Sequence, residues 1–128
     1  MAPFSLATTI VIVDDHPIFC EGVKMLIESA PAMKVVGTAG DIPEACEIIG
    51  RFLPDVVLLD MDLDSVSSVD HMEELIACSP QSRILILTDR LDDEANRAAE
   101  LGAAGVVSKN DASATLLMAI RKIAGGEV

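Results

Sequence analysis

The stretch Val56-Val57-Leu58-Leu59-Asp60 constrains this chain more than any other. Four apolar residues follow Pro54 and run straight into the acidic segment Asp60-Met61-Asp62-Leu63-Asp64. A short, unbroken apolar run fits a strand covered on both faces, as in a parallel sheet, better than a strand with one wet face. Asp60 is then the first residue to emerge at the strand's carboxyl end, the edge where open α/β sheets hold ligands. Asp is also a common loop opener, so position alone does not assign it a task.

The rest of the chain repeats the unit. Residues 9–13, 34–39, 83–88 and 105–109 read as further strands, each rich in branched apolar side chains and several closing on a polar residue. Helical spacing lies between them. Phe19, Val23, Leu26 and Ile27 follow Pro17, which suits a first helical turn. Asp41-Ile42-Pro43-Glu44 opens a second helix with something close to a capping box. A polar approach at 65–68 leads to a third helix carrying Val69, Met72, Leu75 and Ile76, closed by Ser79-Pro80. Asp92-Asp93-Glu94 place negative charge where a helix dipole favours it, and Leu101-Gly102 end that helix. Asn110 or Asp111 can cap a last helix, with Leu116, Leu117, Ile120 and Ile123 inward. Alternating strands and helices with short links predict a doubly wound five-stranded parallel sheet flanked by five helices, with right-handed crossovers.

Its 128 residues suit one domain spanning 1–128, with a tail at 1–8 and the start of a linker at 125–128. Hydrophobic residues form 51% of the chain but aromatics only 2%, so Val, Ile, Leu, Ala and Met must build the core. A net charge of -12 repels phosphate backbones and anionic headgroups, which argues against direct nucleic-acid or membrane binding. Cys20, Cys46 and Cys78 are odd in number and widely spaced, which predicts reduced thiols in the cytoplasm. The N-terminus lacks the features of a signal peptide, and no apolar run approaches the roughly 20 residues that span a bilayer.

In a parallel sheet the polar strand ends share an edge, so Asp14, Asp15, Asp60, Thr88 and Lys109 should converge. Carboxylates about 4 Å apart repel by roughly 4 kcal/mol per pair at an effective dielectric of about 20. A divalent cation and the Lys109 ammonium would make the cluster tolerable, and all-oxygen ligands describe Mg²⁺ rather than Zn²⁺. His16 reads as a local structural residue and His71 as a solvated one.

Asp14-Asp15-His16-Pro17 with Gly22, Val56-Val57-Leu58-Leu59-Asp60, Leu87-Thr88, and Gly102 through Lys109 together resemble the receiver domain of two-component response regulators. The resemblance covers nearly the whole chain. The Asp-Asp-His-Pro opening and the closing Arg121-Lys122-Ile123-Ala124-Gly125-Gly126-Glu127 are similar to the NarL/FixJ branch, in which a receiver precedes a helix-turn-helix DNA-binding output domain absent from this chain. It implies a flavodoxin-like (CheY-like) three-layer sandwich. It also implies that Asp60 accepts a phosphoryl group from a sensor histidine kinase or a phosphotransfer protein. Asp15, Asp60 and the Asp62 carbonyl would hold Mg²⁺, with Mn²⁺ able to substitute and Asp14 acting through water. Lys109 and Thr88 would contact phosphoryl oxygens, and a homodimer on phosphorylation is a further implication. Transcription regulation would follow through the output domain, the receiver itself being no enzyme beyond self-dephosphorylation.

This sequence departs from the family pattern at Val106 (commonly Tyr or Phe), Asp64 (Pro), Ser68 (Gly), Asp89 (small or apolar) and Asn110 (Pro). None removes a reacting group. Asp62 and Arg90, each two positions past a site residue, could form an ion pair over a phosphorylated Asp60 and impede attacking water. Two other readings stand beside the switch. Leu59-Asp60-Met61-Asp62 resembles the nucleophile motif of haloacid dehalogenase-type phosphohydrolases, although Leu63-Asp64 is not that family's continuation. A degenerate receiver acting purely as an interaction module would be expected to lack the acceptor, acid pair or Lys, and all are present.

Overall fold

A computed structural model describes residues 7–63, 66–111 and 113–125. In chain order the elements are β1 (Thr8–Val13), α1 (Pro17–Glu28), β2 (Met33–Ala39), α2 (Ile42–Phe52), β3 (Val56–Asp60), β4 (Asp62–Leu63), β5 (Val66–Ser67), a 3-10 turn (Ser68–His71), α3 (Met72–Cys78), β6 (Arg83–Thr88), α4 (Asp93–Glu100), β7 (Gly105–Ser108) and α5 (Ser113–Ala124). The predicted five parallel strands pair in the order β2-β1-β3-β6-β7.

All five residues of β3 are buried, as its apolar run requires. Alternation divides them between two cores. Val57 and Leu59 join Val11, Val13, Ile84 and Ile86 beneath α2, α3 and α4. Val56 and Leu58 join Ile10, Ile12, Leu85, Leu87 and Val107 against α1 and α5. A buried Leu such as Leu58 contributes on the order of 2 kcal/mol by leaving water. The winding reverses between β1 and β3, because β2 lies to one side of β1 and every later strand to the other. That reversal opens a crevice outside the carboxyl ends of β1 and β3, where the acids lie.

The caps follow the sequence. Asp41 accepts the Glu44 amide at 2.8 Å, while the Glu44 carboxylate takes the Gly40 amide rather than that of Asp41. Gly102, at φ +114, turns the chain after α4 through a conformation that side chains disfavour. β1 begins at Thr8, which pairs with Met33, one residue before the predicted start of that strand.

The predicted polar approach to α3 is instead a small hairpin. Asp62–Leu63 pairs antiparallel with Val66–Ser67, and a 3-10 turn carries Val69 inward before α3 starts. Leu63 and Val69 are both buried, but each sits in an element of four residues or fewer, too short to show a period. His71 contacts Glu74 at 2.7 Å rather than standing free in solvent. The Asp111 carboxylate accepts the Ser108 amide at 3.3 Å, so it closes the turn after β7. Asp64 and the residues at 1–6 and 126–128 lie outside the described residues.

Candidate functional site

Backbone pairing runs past the strand ends and fixes the rim. Asp14 donates its amide to Ala39 at 2.9 Å, Met61 to Leu87 at 2.9 Å, and Lys109 to Thr88 at 2.7 Å. Asp14 and Asp60 are then nearly enclosed, at 5% and 3% exposure. The ammonium of Lys109 lies 3.1 Å from Asp60 Oδ2 and 3.6 Å from Asp14 Oδ2. Ligand atoms of Asp14, Asp15, His16 and Asp60 all fall within 4.8 Å of one another.

Burial pushes the Asp60 carboxyl above its ordinary value of 3.8, and Asp14 adds to the rise. Lys109 and the Asp62 amide, which donates to Asp60 Oδ1 at 3.2 Å, pull the other way. Desolvation wins, so the site holds negative charge at a cost. Asp14 Oδ2 and Asp60 Oδ2 are buried, and each meets the Lys109 ammonium as an ion-pair partner. Two enclosed carboxylate oxygens that share one ammonium fit a small, hard cation beside it.

His16 does more than its sequence context suggested. Its amide donates to Asp14 Oδ1 at 2.8 Å, the local structural role expected of it. Its ring Nδ1 also lies 3.2 Å from Asp14, 3.1 Å from Asp15 and 3.8 Å from Asp60, so the imidazole shares the acidic cluster. Proximity in sequence to the acid pair was the only signal for this.

Thr88 and Asp62 reach the rim but turn their side chains elsewhere. The buried Thr88 hydroxyl donates to the Arg90 carbonyl at 2.8 Å and accepts the Arg90 amide at 3.1 Å. Asp62 is held at both carboxylate oxygens by the Arg90 guanidinium, at 2.9 and 3.2 Å, so the anticipated ion pair forms. The same guanidinium reaches Asp92 at 2.8 Å. Ser68 explains itself: its buried hydroxyl donates to the carbonyls of Asp60 at 2.8 Å and Met61 at 3.2 Å, tying down the backbone that carries the central acid. Ser67 and Asp70 fasten the same segment to α4 through Glu94 and Arg97.

A doubly wound sheet with an acid cluster and one ammonium at its switch point defines a small α/β domain built to meet an anionic group. The response regulator receiver domain family matches residues 10–121, and the chain belongs to that family. It is 34% identical over 119 residues to the transcriptional regulatory protein DegU of Brevibacillus brevis, covering 91% of this chain and 50% of that protein. It is 31% identical over 121 residues to the nitrate/nitrite response regulator NarL of Escherichia coli K12, covering 94% and 56%. The chain thus spans about half the length of these curated relatives. Among solved structures, a LuxR-family two-component response regulator from Aurantimonas sp. SI85-9A1 superposes with TM-score 0.89 at 35% identity, over 94% of this chain and 87% of that one. A NarL receiver domain from Mycobacterium tuberculosis gives 0.88 at 28%, over 95% and 99%. The NarL-type likeness seen in Asp14-Asp15-His16-Pro17 agrees with these relatives.

Proposed function

We propose that this chain is a phosphorylation-controlled switch of the cytoplasm in which Asp60 accepts a phosphoryl group from the phosphohistidine of a sensor kinase or phosphotransfer protein. The observation that carries this reading is the placement of Asp60: enclosed at the end of β3, with one carboxylate oxygen 3.1 Å from the Lys109 ammonium. A carboxylate oxygen of Asp60 attacks phosphorus as the phosphorus–nitrogen bond breaks, and the departing imidazole keeps the electron pair. Little covalent help is needed; positioning and charge neutralisation carry phosphoryl transfer. Lys109, whose ammonium already lies 3.1 Å from the acceptor carboxylate, meets the incoming phosphoryl oxygens.

Asp14, Asp15, Asp60 and the Asp62 carbonyl would hold Mg²⁺, or Mn²⁺ in its place, with Asp14 acting through water. When bound, the cation neutralises the phosphoryl oxygens and the clustered carboxylates. Thr88 contributes after transfer. Its hydroxyl must leave the Arg90 carbonyl to reach the phosphoryl group, which couples Asp60 to the segment between β6 and α4. Transcription regulation through a DNA-binding output domain fits the DegU and NarL relatives. A receiver also stands in the Rhizobium etli protein-glutamate methylesterase/protein-glutamine glutaminase, 33% identical over 107 residues, where the named activity belongs to that protein.

Intact mass after incubation with acetyl phosphate and Mg²⁺ tests the reading. The native chain gains one phosphoryl group and Asp60→Asn gains none; equal labelling of both would overturn it. The Asp62–Arg90 pair then serves as a partial lid over the phosphorylated acid. Both side chains are about half exposed, so water and salt weaken the pair. Arg90→Ala is accordingly expected to speed loss of the phosphoryl group by about threefold, a rate followed by phosphate release, and an unaltered rate rejects the lid.

A further inference from the structure

Lys109 has a neighbour that the phosphoacceptor reading leaves unused. Its ammonium sits 4.5 Å from the centre of the Phe19 ring, on α1. The chain holds three Phe and no Tyr or Trp, so aromatic faces are scarce. One of them lies against the only ammonium that reaches the acid cluster among the described residues. Phe19 packs on the α1–α5 side of the core and lines the groove that also takes in Leu87, Lys109 and Leu116.

A lysine carries a compact charge on a flexible four-carbon stem and gives up considerable rotamer freedom when fixed. Carboxylates of Asp60 and Asp14 attract this one from one side. Asp60 changes charge in the proposed reaction, so it is a poor constant anchor. The ring is neutral, rigid and unaffected by phosphorylation, and its π face attracts a cation within about 6 Å. With only 19% of the Lys109 side chain exposed, water competes weakly for the ammonium.

We propose that Phe19 is a positioning residue for Lys109: its ring holds the ammonium beside Asp60, ready for the incoming phosphoryl oxygens. This rests on the phosphoacceptor reading of Asp60, and the experiment separates the two.

The first measurement needs no phosphorylation. Proton–carbon spectra of lysine-labelled protein show the ε-methylene of Lys109 shifted upfield by the ring current, and Phe19→Leu removes that shift. The second is the initial rate of labelling by phosphoramidate with Mg²⁺. Phe19→Leu labels about tenfold more slowly, equivalent to about 1.4 kcal/mol, and Phe19→Tyr stays within about threefold of native. Phenylalanines of increasing fluorination at position 19, nearly equal in size but weaker in cation affinity, slow labelling stepwise. Should Phe19→Leu not fold, the fluorinated series decides alone.

A flat fluorinated series, or a Lys109 signal unmoved by Phe19→Leu, overturns the positioning role even where the native chain labels normally. Absence of native labelling, with the Lys109 shift in place, overturns the phosphoacceptor reading. The role given to the ring falls with it, though the contact stands.

Discussion

Lys109→Ala is expected to cost the cation-free protein roughly 2–3 kcal/mol at neutral pH, because it leaves Asp14 and Asp60 enclosed without their ammonium. Removing one partner of a buried pair costs about 3–5 kcal/mol in general. The lower figure applies here because Lys109 keeps 19% of its side chain in water and the abandoned carboxylates can take up a proton. Protonation is the signature to look for. Lys109 lowers the Asp60 carboxyl, so its loss raises that carboxyl further. The deficit should therefore shrink as the medium is acidified and the carboxylates stop needing a counter-charge. Added Mg²⁺ should recover part of it. Urea denaturation across pH checks all three outcomes; a deficit independent of pH would mean that Lys109 contributes by packing alone.

Asp60→Asn should do the reverse and stabilise the cation-free fold by about 1–2 kcal/mol at neutral pH, the scale on which relief of a poorly compensated buried charge acts. The sign follows from burial. Desolvation raises the folded-state carboxyl above 3.8, so in the window between 3.8 and the raised value the native protein binds more protons folded than unfolded. Its stability then climbs as pH falls through that window, whereas the Asn variant lacks this component. The gap between the two proteins is full above the window and closes within it. Thermal melts of both from neutral to acid pH measure this, and a gap that widened on acidification would contradict the placement of Asp60 in a desolvated pocket.

The elements legible in the sequence were those with strong periodicity. β3 could be read from four consecutive apolar residues because both its faces are covered, and Gly102 and Asp41 marked helix ends through backbone chemistry that few other residues share. The hairpin at Asp62–Leu63 and Val66–Ser67 escaped because two-residue strands have no period to detect. At the site, strand ends predicted which residues meet, since a parallel sheet sends them to one edge. Side-chain direction was less accessible. Thr88 bonds to its own loop at Arg90, and the His16 ring turns in among the acids. Such choices depend on torsions set by neighbours distant in sequence. In the sequence Phe19 is one apolar helical position among several, because the pattern records that a face is buried but not that a lysine from β7's far end lies upon it.

Ser68 and the fully enclosed β3 together make the central acid an anvil. With its strand hydrogen-bonded on both sides and its own carbonyl clasped by a hydroxyl, Asp60 has almost no freedom to travel when its charge changes. Any displacement must come from what surrounds it. The slack lies to one side, where the half-exposed Arg90 ties the β6–α4 segment to Asp62. A stationary striking surface beside one yielding wall gives a chemical event at Asp60 a single outward direction.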